Sequence, residues 1–314
     1  MKKVMDSKSF SATAVGKSSV RRRFIGWDEP TVVRAVEELF RRFADGDSWD
    51  MRDVVIVLPS ALAKRRLQEL LALRAMGTGR ELQTRGADET SAVRSESKSG
   101  RKVMYPPHIV TAGQLPEELY VAKFPFASDL VQVLTWVSAL QKTELKLLQR
   151  IVPVPPPMTA SEQWLELGKL ISTVHRELAS DRLDFKSVAA ALGNHPEAPR
   201  WQAMASIQTT YLGLLDGLEL WDIQTARLMA LEYREPQTTR QIIVVGAVDL
   251  NKTQRGFLEA VAEHVEIWVA APDSHAAMFD VFGCLDSEQW QDAVLELPED
   301  CLLVGSSPAI WCKC

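Results

Sequence analysis

Three groups of side chains in this 314-residue chain have the type and spacing for phosphate or metal chemistry. Gly16-Lys17-Ser18 copies the last three letters of the phosphate-loop pattern G-x-x-x-x-G-K-S/T, in which backbone amides cradle phosphates and a lysine reaches them. Ser11 stands where the first glycine belongs, and no strand pattern precedes it, so those amides lack a frame. Ser60, Lys64, Arg65 and Arg66 lie on the first turns of a helix pattern that follows an apolar run. Helix N-termini bind phosphate through free amides, and nearby cations add to the attraction. The other reading is a capping serine with a solvated basic face. The third group is Val245–Gln254 (VGAVDLNKTQ), which follows the buried-strand pattern Gln241–Val244. Asp249 reads as a cap for a helix over 251–264, not as a metal ligand.

The remaining reactive types point to packing. Cys284, Cys301, Cys312 and Cys314 all lie in the last 31 residues. Cys312 and Cys314 are one residue apart and no second pair accompanies them, unlike a zinc ribbon, so all four read as free thiols. His175 lies beside an apolar helical stripe with no partner carboxylate or cysteine nearby, and reads as a core or boundary histidine. Trp136, Trp164, Trp201 and Trp221 lie on or beside such stripes and read as packing residues. Thr111, at a strand end, either hydrogen-bonds a phosphate or caps the next helix. The residues by themselves call for no cofactor and no resident metal.

The elements that must position these groups follow from periodicity. Asp28 and Pro30 open a helix with Val32, Val36, Leu39, Phe40 and Phe43 at helical spacing. Val54–Leu58 is a β-branched run typical of a strand buried on both faces. Pro59 ends it, and Ser60 caps a helix over 61–76. Residues 77–105 hold mostly Ser, Gly, Arg, Glu and Thr and read as a mobile loop. A strand at 108–112 and a helix from about Gln114 follow.

Residues 127–235 are helical in pattern. One stripe is Leu130, Leu134, Val137 and Leu140; a second is Trp164, Leu167, Ile171, Val174 and Leu178, opened by a Thr159…Glu162 capping box. Trp201, Met204, Gln208, Tyr211 and Leu215 make a third, and the Pro153–Pro157 cluster separates the first two. Strands return at 241–245 and 266–271, flanking a helix over 252–264. Strand–helix units around a long helical stretch predict an α/β fold with a parallel sheet and one large helical insertion. The domain division is a disordered basic arm over 1–23, an α/β domain over 24–126 and 236–304, a helical insertion over 127–235, and an irregular tail over 305–314.

Hydrophobic content of 46% is enough for a substantial core, and a net charge of −5 gives no general pull toward nucleic acid. Any DNA contact must therefore come from a local patch, such as the arm, with seven Lys and Arg against Asp6. The N-terminus lacks the apolar core of a signal peptide, and no apolar run is long enough to span a bilayer. The expectation is a cytoplasmic protein with no membrane partner.

The layout resembles the first motor domain of superfamily 1 DNA helicases, a RecA-like (P-loop NTPase-type) domain with a large helical insertion. Val55–Leu67 (VIVLPSALAKRRL) and His108–Leu115 (HIVTAGQL) look like its two segments that contact single-stranded DNA, and Leu220–Leu228 (LWDIQTARL) resembles the helix before its acidic motif. Laid over Val244–Gln254, the pattern V-D-E-F-Q-D-T-N-x-x-Q finds Asp249, Asn251 and Gln254 in register, but its magnesium-holding acids fall on Val245 and Gly246. Asp273–Gly283 suits the G-D-x-x-Q-S-I-Y-x-F-R-G segment, with the γ-phosphate-sensing glutamine on Ala276 and the arginine on Phe282. ATP hydrolysis needs lysine, acids and sensors together, so the resemblance implies a motor shape without an engine.

Phe24–Pro30 (FIGWDEP), Ile109–Tyr120 (IVTAGQLPEELY), Leu220–Arg227 and Phe282–Asp286 look like the AddB-type subunits of bacterial helicase–nucleases. That resemblance implies a DNA-handling scaffold for double-strand-break end processing and recombinational repair. Its partners would be single- or double-stranded DNA ends and an AddA-like helicase–nuclease subunit. Its DNA contacts would fall on Ser60, Lys64, Arg65 and Thr111. Members of the group are longer and end in a PD-(D/E)XK nuclease. Ser306–Cys314 (SSPAIWCKC) fits neither helix nor strand, as if the reading frame were cut or shifted. A truncated fragment of a Mg-dependent exonuclease subunit and a stand-alone interaction protein are the alternatives.

Overall fold

Val54–Leu58 and Gln241–Val245 are apolar on both sides of a pleat, so each must be covered on both faces. In the computed structural model they lie side by side, parallel, with Val55 opposite Ile242 and Val57 opposite Val244. The structure describes residues 20–46, 48–76, 103–291 and 293. Gly16-Lys17-Ser18, most of the basic arm, residues 77–102, Cys301, Cys312, Cys314 and the 305–314 tail lie outside them.

The chain runs β1 (Arg21–Phe24), α1 (Thr31–Arg42), β2 (Ala44–Asp45), β3 (Ser48–Asp50), β4 (Val54–Leu58), α2 (Ala61–Ala75), β5 (Val103–Tyr105) and β6 (His108–Thr111). Six helices follow: α3 (Asp129–Gln141), α4 (Leu145–Leu148), α5 (Ser161–Ser180), α6 (Phe185–Leu192), α7 (Ala198–Asp216) and α8 (Ile223–Glu232). β7 (Gln241–Val245), α9 (Lys252–Ala260), β8 (Val265–Val269) and α10 (Ser287–Trp290) complete the described order.

The protein is α/β. Its main sheet is parallel, with strand order β1-β8-β7-β4-β6, and β2, β3 and β5 form a small second sheet. Side chains alternate across the main sheet. Val54, Ile56, Leu58, Ile243, Val245 and Trp268 pack beneath α1 and α2. Val55, Val57, Ile242, Val244 and Ile267 meet α8, α9 and a 3₁₀ turn at Leu115–Glu118 on the other side. Each fully buried Val, Leu or Ile contributes on the order of 1.5–3 kcal/mol, so these eleven positions supply much of the sheet's stability. Helices α3 to α7 enclose a third core built on Trp136, Phe185 and Tyr211.

Several expectations change. Arg21–Phe24 belongs to no disordered arm: it is the edge strand β1, paired in register with β8 from Arg21↔Glu266 to Phe24↔Val269. A strand read as Arg-Arg-Arg-Phe has no apolar pattern, because only its inner edge is paired and charge is tolerated on the outer one. Val103–Tyr105, assigned to the mobile loop, forms β5 against β3. Leu130 and Leu134 of the first helical stripe are exposed at 66% and 47%, while Gln132, Thr135 and Trp136 point inward. α5 starts at Ser161 with Ala160 at its cap and no Thr159 capping box. The helix expected near Gln114 is one 3₁₀ turn, and α9 ends at Ala260.

Candidate functional site

A parallel sheet brings all its strand ends to one edge, where α/β proteins place their ligands. At this edge β1 runs through Ile25–Pro30 into α1, β4 through Pro59-Ser60 into α2, and β7 into Gly246. Among the described residues, the first strand–turn–helix at this edge is Phe24–Thr31. Sequence reading missed it because β1 is too polar to register as a strand. Gly26, with φ of +79°, and the Pro30-Thr31 helix start were the legible signals.

This turn is crowded. Gly246 has φ of +60°, and a Cβ built there would lie 2.9 Å from the Cγ2 methyl of Thr31. Gly246, which only the motor-domain resemblance assigns to a magnesium-holding acid, thus abuts the first residue of α1, in a backbone conformation that side-chain-bearing residues rarely adopt. Val245, the other acid position, is buried against α1 and Trp268. Free amides at a helix start attract anions. Here two carboxylates are already present: Asp28 pairs with Arg34, and Glu29 reaches the same guanidinium at 3.4 Å. Trp27 lies 4.6 Å from His275 between ring centroids, tilted at 59°, and Trp290 stacks on the same imidazole at 6.3 Å. Among the described residues no group of three His, Cys, Asp or Glu is placed to hold a metal ion.

The other positions that the resemblance singles out have structural occupations. Asp249 is exposed and does not cap α9. Asn251 does: its Oδ1 accepts the Gln254 N–H at 2.8 Å, and the Asn251 N–H donates to Gln254 Oε1 at 3.0 Å. The Gln254 amide also donates to the Ala112 carbonyl at 3.0 Å, tying α9 to the end of β6. The Ala276 carbonyl accepts from Arg22 at 3.2 Å. Phe282 is buried beneath Arg255, whose guanidinium lies 5.3 Å from the ring centroid and pairs with Asp280.

The proposed DNA contacts do come together, two strands away. Leu58 and Thr111 are register partners, so Ser60 and Thr111 leave adjacent strand ends. Ser60 Oγ accepts the Ala63 N–H at 3.2 Å, and the Lys64 N–H closes the first helical bond to the Ser60 carbonyl. That leaves the Ala61 and Leu62 amides of the first turn for solvent or an anion. Lys64 has no carboxylate within ion-pair distance among the described residues. Arg65 and Arg66 share Glu69 at 3.0 and 3.5 Å, which neutralises part of the basic face. The Thr111 N–H donates to Gln114 Oε1 at 3.2 Å, and its side chain is half-exposed.

Arg227, not singled out by sequence, braces this corner. Its Nη2 donates to the Gly113 carbonyl at 2.7 Å, and Nε and Nη2 grip Glu117 at 2.6 Å each. α8, which carries Arg227, is anchored in turn by a buried network. Asp222 Oδ2 accepts from Thr225 N–H and Oγ1 at 2.7 Å and meets His175 Nε2 at 2.9 Å; Oδ1 accepts from the Tyr211 hydroxyl at 2.9 Å. His175 therefore has a carboxylate partner, 47 residues away in sequence, which the stripe reading could not see. Burial by itself would raise the Asp222 pKa, but His175 and then Thr225 hold it below the usual carboxylate range. Burial, and then the Asp222 charge, push the Tyr211 hydroxyl upward, so it stays a donor. Comparison with known protein families and with curated proteins finds no match to this chain.

Proposed function

We propose that this chain is a non-catalytic DNA-handling scaffold: a degenerate RecA-like domain with a large helical insertion, of the AddB-like kind, serving double-strand-break end processing in the cytoplasm beside an AddA-like helicase–nuclease subunit. The observation that carries the non-catalytic half is Gly246 against Thr31, where a magnesium-binding acid has neither space nor backbone freedom. The DNA half is supported by Ser60, Lys64 and Thr111 leaving neighbouring strand ends, with Ala61 and Leu62 amides unspent. One phosphate would take those amides and Lys64; the next would take the Thr111 hydroxyl. Arg227 and Gln254 hold the Ala112–Gly113 carbonyls, and so the corner's backbone, in place.

The test is fluorescence anisotropy of a labelled oligothymidine with the full chain over a salt series. The expected result is weak binding that declines steeply with salt, as phosphate contacts demand, and a further loss in Lys64→Glu. Salt-independent binding, or binding indifferent to Lys64, would remove the DNA half of the reading.

A further inference from the structure

β1 lies at one end of the main sheet and, among the described residues, pairs on one side only, with β8. The Ile25 N–H donates to the Val269 carbonyl at 2.9 Å, and peptide groups two residues apart along a strand face the same way. Arg21 and Arg23 therefore bond β8, while Arg22 and Phe24 turn their N–H and C=O groups outward. Along this edge Arg21, Arg22, Arg23 and Arg42 line a hollow of about 550 Å³ with Val20 and Glu266. Arg23 pairs with Glu38 at 2.8 Å and Arg42 with Glu266 at 2.6 Å. Arg22 spends its guanidinium on the neutral carbonyls of Ala276, Phe279 and Asp280, and so keeps its charge. Arg21 is exposed, with no carboxylate within ion-pair distance among the described residues. Four guanidinium groups thus meet two carboxylates beside an open row of backbone donors and acceptors.

We infer that β1 is a docking edge for an extended acidic segment of a partner protein, which adds to the sheet as a further strand. Main-chain bonds to Arg22 and Phe24 supply the pairing, and the arginines select for carboxylates on the incoming strand. A second copy of this chain at the same edge would set arginine opposite arginine, an unfavourable cross-strand pairing. The inference is independent of the DNA reading, because Ser60 and Thr111 leave β4 and β6 at the far end of the strand order.

The experiment uses the full chain and a fluorescein-labelled octapeptide of alternating valine and glutamate. Saturable binding is expected, weaker by at least about tenfold for a valine–lysine peptide and for Arg21→Glu, whose side chain has no ion pair to lose. Two further peptides carry N-methyl groups on the odd or on the even residues. One is expected to lose about tenfold and the other to bind as before, because only one set of amides faces β1. Amide exchange at Arg22 and Phe24 slows when the peptide is added. Equal binding of both methylated peptides would reduce the effect to charge alone and overturn the inference. Protection of Arg22 and Phe24 before any peptide is added would also overturn it, showing the edge already filled. Sedimentation would then assign that filling to the chain itself or to a second copy.

Discussion

The two halves of one sheet edge have opposite characters. Where β1 and β7 end, the space is filled: Thr31 abuts Gly246, Asp28 and Glu29 pair with Arg34 of α1, Trp27 meets His275 at a tilt, and Trp290 stacks on His275. Where β4 and β6 end, donors are left over: two first-turn amides, Lys64 and the Thr111 hydroxyl, on a backbone braced by Arg227 and Gln254. Both halves are strand–turn–helix units built alike. The difference lies in the sign of charge placed at the helix start and in whether a side chain has room there.

The largest effect should come from the support of the open half. Asp222→Ala would leave His175 and Tyr211 buried without their partner and is expected to cost about 3–5 kcal/mol of stability, read by urea denaturation. The same group gives a pH signature. Its folded pKa lies below the unfolded one, so its contribution is present above the ordinary carboxylate range and is lost as pH falls through the folded value. Glu266, lowered by Arg42 against its own burial, adds in the same direction. Thermal midpoints should therefore fall on acidification below about pH 4, and Asp222→Asn should flatten that fall.

The closed half yields an intermediate effect. Gly246→Glu should cost about 1–3 kcal/mol through positive φ and the Thr31 contact, without creating ATP turnover. Pairing Gly246→Ala with Thr31→Ser removes the methyl and should recover part of the loss. Full recovery would mean that crowding, not backbone conformation, keeps glycine there. Next is Lys64→Glu, expected to weaken oligothymidine binding about tenfold while leaving the denaturation midpoint in place. Smallest is Arg65→Ala: its exposed pair with Glu69 should shift stability by no more than about 0.5 kcal/mol.

What could be read in advance divides along physical lines. β4, β7 and α2 were legible because a strand buried on both faces or a helix with a serine cap leaves a local pattern. The capping role of Ser60 followed from side-chain chemistry alone. β1 was not legible, since an edge strand covered on one side can be written in arginine. The His175–Asp222–Tyr211 network was hidden because its members come from three helices and meet only after packing. Leu130 and Leu134 misled for a related reason: α3 buries Gln132, Thr135 and Trp136 through specific contacts that outweigh a simple apolar stripe.

The central proposal, that the β1–β7 corner does not hold a nucleotide, is tested most directly by titrating the full chain with a fluorescent ATP analogue and magnesium. No saturable signal up to millimolar analogue is expected for the native protein, and none for Thr31→Ala. Saturable micromolar binding that Thr31→Ala abolishes would contradict the account.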